Sequence, residues 1–280
     1  MNKSILITGC SSGIGLCVAE GLKNRGYQVF PSARKHEDVD MLKKKGFEHA
    51  CLLDLNDSNS IKSAVDFVIE KTDNKLYALF NNAGYGQAGA VEDLSRQVLR
   101  DNFETNVFGL QELTNLILPS MREHNSGRII QNSSVLGLIC LPYRGAYNAS
   151  KFALEGLTDT LRMELRQTNI RISLIEPGPI TSRFRANAFA AYQRNINKES
   201  SAHKEIYNAM ERRLTNSGKV PFTLPPDAVL QKVIHALESP SPKIRYYVTV
   251  PTYLFATLKR LLPHKWLNWV LVKVSEGEQK

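Results

Sequence analysis

The chain has no apolar run approaching the roughly 18–20 residues of a membrane-spanning helix, so no spanning segment is expected. A signal peptide is not expected either. Ile5, Leu6 and Ile7 already read as a strand, leaving no room for a basic n-region and an apolar h-region. Cysteine is sparse: Cys10, Cys17, Cys51 and Cys140 form no C-x-x-C pair and no zinc spacing. Reduced thiols in a cytoplasmic protein are the expectation. Cys10 falls near a predicted helix start, where a thiol can be activated, although packing is the commoner use of such a residue. No His/Cys/Asp cluster is spaced for a metal, and none is expected. Internal repeats and low-complexity linkers are absent. Acidic residues are outnumbered, giving a net charge of +9, which favours anionic partners such as phosphorylated cofactors, acidic substrates or anionic lipid. No basic run is interleaved with aromatics, so nucleic acid is not among the expected partners.

What is present is a regular alternation of strands and helices. At 280 residues, 42% of them hydrophobic, the chain can build the core of one large α/β domain. Lys3 to Thr8 reads as a buried strand. Gly9, Gly13 and Gly15 then form a G-x-x-x-G-x-G turn into Leu16, Val18, Ala19 and Leu22 at helical spacing. Glycines there let the backbone approach a pyrophosphate, with the helix N-terminus facing its charge. A second strand, Tyr27 to Ala33, carries Pro31, which is expected at its end or beside a bulge. Its tip reads Ala33-Arg34-Lys35 with no carboxylate. A carboxylate would suit the ribose 2′-hydroxyl of NAD and an arginine the 2′-phosphate of NADP, so Arg34 is read as a phosphate clamp.

His49 to Asp54 is expected as a third strand. Asp54 at its end either accepts from an adenine amino group or caps the loop. Ile61 to Lys71 has helix periodicity. Leu76 to Phe80 is a fourth strand, running into Asn81-Asn82-Ala83-Gly84-Tyr85-Gly86. Those small residues and amides suit the floor of a ligand crevice or an ordinary turn. Val98 to Met121 reads as one long helix carrying Asn106 and Gly109. Gly127 to Ser133 is a fifth strand that delivers Ser134, and Ala146 to Arg166 a helix. Ile170 to Ile175 is a sixth strand, ending in Glu176-Pro177-Gly178-Pro179-Ile180. Strands this apolar imply a parallel sheet covered on both faces.

Tyr147 and Lys151 are i and i+4, one turn apart on one helix face. An ammonium beside a phenol favours the phenolate, so Lys151 is expected to lower the Tyr147 pKa toward the range useful for acid/base work near neutral pH. Ser134 is placed to donate to the oxygen whose proton Tyr147 moves. A Tyr-x-x-x-Lys pair alone arises by chance. Here the glycine turn, Arg34, Asp54, the Asn81 loop, Ser134 and the Pro177 loop all fall at strand C-termini, where open α/β sheets bind ligands.

This set resembles the short-chain dehydrogenase/reductase family, single-domain type. The marks are TGCSSGIG at 8–15, NNAG at 81–84, Asn106, Ser134, Tyr147-x-x-x-Lys151 and PGPI at 177–180, over roughly residues 1–250. The resemblance implies an α/β fold: a doubly wound, parallel, seven-stranded Rossmann sheet in three layers. It implies hydride transfer at nicotinamide C4, with Tyr147 as acid/base and Ser134 orienting the carbonyl oxygen. Lys151 would bind the nicotinamide ribose, and Asn106 would hold a water in the proton relay. Cofactor contacts carried over are Gly9, Ser11, Ser12, Gly13, Ile14, Gly15, Arg34, Asp54, Leu55, Asn82, Ala83, Gly84, Tyr147, Lys151, Pro177, Gly178, Ile180 and Ser182. A basic residue at the Arg34 position goes with NADP(H) in the family. The family's usual threonine after Pro-Gly falls here on Ser182, with Thr181 beside it as the alternative hydroxyl.

The resemblance is strongest to members acting on aldehydes, retinoids or steroids, which implies an alcohol/carbonyl pair as substrate and a homodimer or homotetramer built through the helices at 98–121 and 146–166. A non-catalytic NADP(H)-binding sensor is the competing reading, opposed by the intact Ser134, Tyr147 and Lys151. A nucleotide-sugar epimerase shares Tyr-x-x-x-Lys but fits NNAG and Asn106 less well. Residues 183–224, with Phe184, Phe189, Tyr192, Tyr207 and Met210, are expected as a substrate lid on a single catalytic domain of residues 1–250. Residues 251–280 form a basic amphipathic tail: no acid lies between Glu238 and Glu276, and Pro263 separates Leu254, Phe255, Leu258 and Leu261 from Trp266, Leu267 and Trp269. Such a tail either makes peripheral contact with an anionic membrane or closes the pocket or a subunit interface.

Overall fold

The computed structural model describes residues 3–215 and 221–277. The parts of the expected lid and tail at 216–220 and 278–280 lie outside them. Seven strands form one sheet: β1 (Ser4–Ile7), β2 (Gln28–Ala33), β3 (Cys51–Leu52), β4 (Ala78–Asn81), β5 (Gly127–Asn132), β6 (Ile170–Glu176) and β7 (Arg245–Tyr247). Their order is β3-β2-β1-β4-β5-β6-β7, and every pairing is parallel. Parallel neighbours need crossovers, and helices supply them on both faces.

The strand side chains alternate between two cores. Ile5, Ile7, Val29 and Phe80 pack with helices α1 (Gly13–Asn24) and α2 (His36–Lys44). Leu6, Phe30, Leu79 and Ile129 point the other way, toward α3 (Ser58–Lys71) and the helix at Gly109–Glu123. Because both faces are covered, neither set can be polar, which is why the strands read as continuous apolar runs. The result is the doubly wound, three-layer Rossmann sheet expected from the sequence. The order reverses at β1, between β2 and β4, and the C-terminal edge there is where such sheets bind ligands.

Three elements differ from the sequence reading. The third strand is only Cys51–Leu52, because β3 is an edge strand pairing with β2 at two residues. Beside it Ala50 and Leu53 are buried outside the ladder, and the half-buried His49 stacks on Phe30 with ring centroids 4.9 Å apart. Pro31 lies inside β2 rather than at its end. It holds the last rung shared with β1, and pairing to β3 starts one residue later at Ser32. The long helix at 98–121 is divided: α4 (Arg96–Phe103), a π-turn over Glu104–Phe108, and α5 (Gly109–Glu123).

The remaining helices complete the layers and the site. They are α6 (Gly145–Glu164), α7 (Phe184–Asn195), α8 (Lys204–Thr215), α9 (Asp227–Glu238), α10 (Val250–Leu261) and α11 (His264–Gly277). Helix α9 joins the α1 layer through Val229, Val233 and Leu237. Helices α7 and α8 pack Tyr192, Tyr207 and Met210 onto Ala88, Ala90 and Leu94 of the loop after β4. Pro263 separates α10 from α11. No helix among the described residues is long and apolar enough to cross a membrane. Cys10 is a packing residue: it is fully buried, and burial pushes its thiol well above the ordinary value.

Candidate active site

The C-terminal ends of β1, β4 and β5 are bolted together by short polar side chains. The Thr8 hydroxyl accepts from the backbone N–H of Asn82 and of Ala83, each at 2.8 Å. Asn82 Nδ2 donates to Thr8 O at 2.9 Å, and its Oδ1 accepts from Asn132 Nδ2 at 2.9 Å. The NNAG segment is therefore a fixed floor. Above it the glycine turn folds tightly, and a Cβ on Gly15 would stand 2.3 Å from Gly9 O, so only glycine fits. Ser12 caps α1 with its backbone extended but without a side-chain bond, which leaves the first N–H groups of the helix open toward an anion.

Helix α6 and the end of β5 bring the reacting candidates together. Ser134 is extended and its Oγ accepts from Leu136 N at 3.1 Å, closing a short 3₁₀ turn over Val135–Gly137. Tyr147 and Lys151, at 8% and 3% exposure, lie on the buried face of α6. Lys151 Nζ sits 5.7 Å from the centroid of the Tyr147 ring and donates to Asn132 O at 2.8 Å. Burial pushes the Tyr147 phenol up to about 12, against the lowering influence of its hydrogen bond with Ser134. Burial also pulls Lys151 down to about 8, against the opposing charge of Glu155. The expected depression of the Tyr147 pKa is therefore not what this structure has. Desolvation penalises the charged form of both groups, and it outweighs the Ser134 hydrogen bond at Tyr147 and the Glu155 charge at Lys151.

Asn106 lies in the π-turn after α4, a device found often at functional sites. Its Oδ1 accepts from Tyr85 N at 3.0 Å, while Nδ2 donates to Tyr85 O at 2.9 Å and Ser150 Oγ at 3.1 Å. A Cβ on Gly84 would lie 3.0 Å from Asn106 Oδ1 and 3.9 Å from Lys151 Nζ, so this glycine keeps open the space between them. Ser134, Tyr147, Lys151, Asn106 and Gly84 thus surround one spot.

The other sequence candidates spread along the same edge. Pro177 O accepts from Val135 N at 2.8 Å, linking the loop after β6 to Ser134. In that loop Gly178 rests against Thr249, and Ile180 bridges to Leu224. Ser182 faces the glycine turn, and a Cβ on Gly13 would reach within 3.0 Å of Ser182 Cβ. The Ser182 hydroxyl accepts from Phe184 N at 3.3 Å, and Thr181 N bonds Leu224 O. Arg34 stands exposed at the tip of β2, and its charge reaches Tyr85 in the loop after β4. Asp54 Oδ1 accepts from Asn56 N at 3.0 Å, so it caps its loop. Leu55 is buried beneath Gly109 of α5.

Above Tyr147 the surroundings are apolar. The Phe184 ring lies 5.2 Å from the Tyr147 ring. Leu136, Ile139 and Leu141 meet Phe255 of α10 and Leu267 and Leu271 of α11 around the same tyrosine.

Sequence reasoning missed several residues. Thr8 was legible only as part of the glycine motif, and Asn132 as the last residue of a strand. Behind Lys151, the Arg245 guanidinium of β7 binds Glu155 Oε2, Glu176 Oε1 at 2.6 Å and Asp159 Oδ2 at 2.6 Å. Glu155 had a usable signal, since it follows Lys151 by four residues on α6. Arg245 had none.

Residues 3–193 match the family model described as short chain dehydrogenase. The uncharacterized oxidoreductase YbbO of Escherichia coli (strain K12) is 46% identical over 97% of this chain and 94% of its own. The NADPH-dependent 3-dehydrocapnine reductase of Ornithobacterium rhinotracheale is 32% identical over 96% of this chain and 95% of its own. Among solved structures, a short-chain dehydrogenase from Streptomyces avermitilis superposes with a TM-score of 0.80 at 30% identity, covering 98% of both chains.

Proposed function

The chain belongs to the short-chain dehydrogenase/reductase family of oxidoreductases, and from that premise we propose that it interconverts a lipophilic alcohol and its carbonyl compound using NADP(H). The observation that carries the reading is the packing of Ser134, Tyr147 and Lys151 at one apolar spot on the C-terminal edge.

The residues present fit a phosphorylated dinucleotide. The open N-terminus of α1 and the glycine turn offer a seat for a pyrophosphate, and the exposed Arg34 guanidinium suits a 2′-phosphate. Gly9, Ser11, Ser12, Gly13, Ile14 and Gly15 would line that seat, with Asp54 and Leu55 on the adenine side. Asn82, Ala83, Gly84, Pro177, Gly178, Ile180 and Ser182 would hold the nicotinamide half. When bound, the cofactor supplies or accepts the hydride. NADP(H) preference is also supported by the relative named as NADPH-dependent.

The chain's own residues do the rest. Ser134 and Tyr147 hold the carbonyl oxygen. A phenol pushed up to about 12 is protonated at neutral pH, so Tyr147 can donate the proton that reduction of a carbonyl requires. Lys151 would hold the cofactor ribose and return a proton to Tyr147, and Asn106 would keep a relay water beside it. Phe184, Leu136 and Ile139 exclude water and favour an aldehyde, retinoid or steroid-like substrate. Helices α7 and α8, within residues 183–224, cover that substrate, and residues 1–250 form the catalytic domain.

The protein is read as cytoplasmic and as a homodimer or homotetramer. Exposed Phe108 and Leu116 near α5, and Leu157 and Met163 on α6, support association through those helices. Its tail is read as meeting an anionic membrane peripherally. The test is an oxidation screen of NADPH against NADH over aldehydes, ketosteroids, retinal and quinones. Turnover that requires Tyr147 supports the proposal. NADPH binding with no turnover in either direction would make the protein a sensor.

A further inference from the structure

Resting on the reading of a lipophilic substrate and a membrane-facing tail, we infer that helices α10 and α11 form an interfacial wall. Its outer face lies on an anionic bilayer while its inner face encloses Tyr147, so that substrate enters the site from lipid. Two observations on the same two helices carry this.

The inner faces are committed to the site. Phe255, Leu267 and Leu271 are buried against Leu136, Ile139 and Tyr147. The outer faces are largely exposed, with Tyr253 meeting the Tyr247 ring edge-on at 5.3 Å. On α10, Val250, Tyr253, Leu254 and Leu261 fall within one stripe of the helix, and Leu261 is 73% exposed. On α11, Trp266 and Trp269 are 66% and 62% exposed on the side opposite Leu267 and Leu271. Aromatic and aliphatic side chains on helices too short to span are suited to lying in the headgroup region.

Charge decides the occupant. Arg260, Lys265 and Lys273 accompany these faces, while Lys259 turns back over the Phe152 ring of α6 at 4.9 Å; the acid on the described part of α10 and α11 is Glu276, paired with Lys273 at 2.9 Å. A second copy docking isologously would bring this basic set against itself, and like-charge juxtaposition opposes that. An anionic lipid surface complements it. The apolar side chains of α5 and α6 offer subunits a different face.

The tryptophans make the test direct. Trp266 and Trp269 are the two in the chain, so intrinsic fluorescence reports this face alone. Full-length protein is mixed with phosphatidylcholine vesicles, with or without phosphatidylglycerol. With phosphatidylglycerol, emission should shift to the blue, brominated lipid should quench it, and the protein should co-sediment at low salt and be released at high salt. Trp266→Ser/Trp269→Ser should weaken partitioning measured by co-sedimentation about tenfold or more. That variant should keep wild-type turnover of a water-soluble aldehyde but lose most turnover of a long-chain aldehyde held in vesicles.

Absence of binding to anionic vesicles overturns the inference. So does equal binding to neutral ones, or a concentration-dependent dimer that the tryptophan substitutions abolish. Equal turnover of the vesicle-held aldehyde by both proteins overturns the link to the site. Failure of the wild type on every soluble carbonyl compound would instead remove the proposed activity, leaving the vesicle result to be read separately.

Discussion

Replacing Arg245 with methionine removes the cation that is hydrogen-bonded to both members of a buried acid pair. Arg245 contacts Glu155, whose side chain is 9% exposed, Glu176, which is 0% exposed, and Asp159, which is 39% exposed. The Asp159 contact contributes little, because water screens it. Loss of the cation from the two buried carboxylates leaves uncompensated charge and should cost about 3–5 kcal/mol near pH 9.5, above the value of about 8 to which Glu176 is raised. For a chain of this size that is a fall in Tm of roughly 6–20 °C. The sign with pH follows from Glu176. Burial and the charge of Glu155 raise its pKa above the ordinary value, while Arg245 holds it down. An acid with a raised folded pKa favours the fold at low pH and loses that contribution as pH climbs through the folded value. Arg245→Met raises the pKa further, so the penalty should shrink to about 1–2 kcal/mol near pH 5, where lost hydrogen bonds remain. Urea melts of wild type and variant at both pH values measure this. Arg245→Met/Glu176→Gln should recover at least half the loss near pH 9.5. A penalty equal at both pH values, or below about 1 kcal/mol near pH 9.5, would refute the reasoning.

Other perturbations probe the site itself. Tyr147→Phe keeps the ring in its apolar setting and removes the proton donor, so turnover should fall at least ~100-fold with NADPH binding preserved; near wild-type turnover sinks the acid/base assignment. Arg34→Ala should weaken NADPH by about 10- to 100-fold and leave NADH nearly unchanged, as measured by titration; equal effects would place the discrimination elsewhere, with Lys35 the next candidate. Gly84→Ala puts a methyl 3.0 Å from Asn106 Oδ1 and close to Lys151, and should lower kcat more than it raises KM for the carbonyl compound. An unchanged kcat would show that the space beside Lys151 has no part in the proton path.

The fold was legible because a parallel sheet buried on both faces leaves long apolar runs, and the turns at its C-terminal edge are marked by Gly, Asn and Pro. Boundaries failed where tertiary contacts decide them. The run at His49–Asp54 is buried by stacking and loop packing, yet an edge position gives it two ladder residues. Sequence periodicity runs straight through Glu104–Phe108, and the π-turn there carries an asparagine held by Tyr85 and Ser150, residues remote in the chain. Pro31 was misplaced because the reading could not see that β2 changes partners beside it.

The site was legible in residue type but not in electrostatics. Spacing put Lys151 beside Tyr147 and suggested a lowered phenol pKa; burial of both reversed the sign. Desolvating a lysine in this way costs stability, and the structure sets opposite charges in sequence against that cost. From Tyr147, the α6 face passes through the ammonium of Lys151 to the carboxylate of Glu155, and then to the guanidinium of Arg245 and the acid of Glu176. Glu155 opposes the downward shift of Lys151, and Arg245 opposes the upward shift of Glu176. Glu176 immediately precedes Pro177, whose carbonyl is bonded by Val135 N beside Ser134. The charge ladder therefore ends one residue from the loop that orders the serine. Disturbing it at Arg245 should reach the chemistry through Lys151 on one side and Ser134 on the other, although Arg245 touches neither.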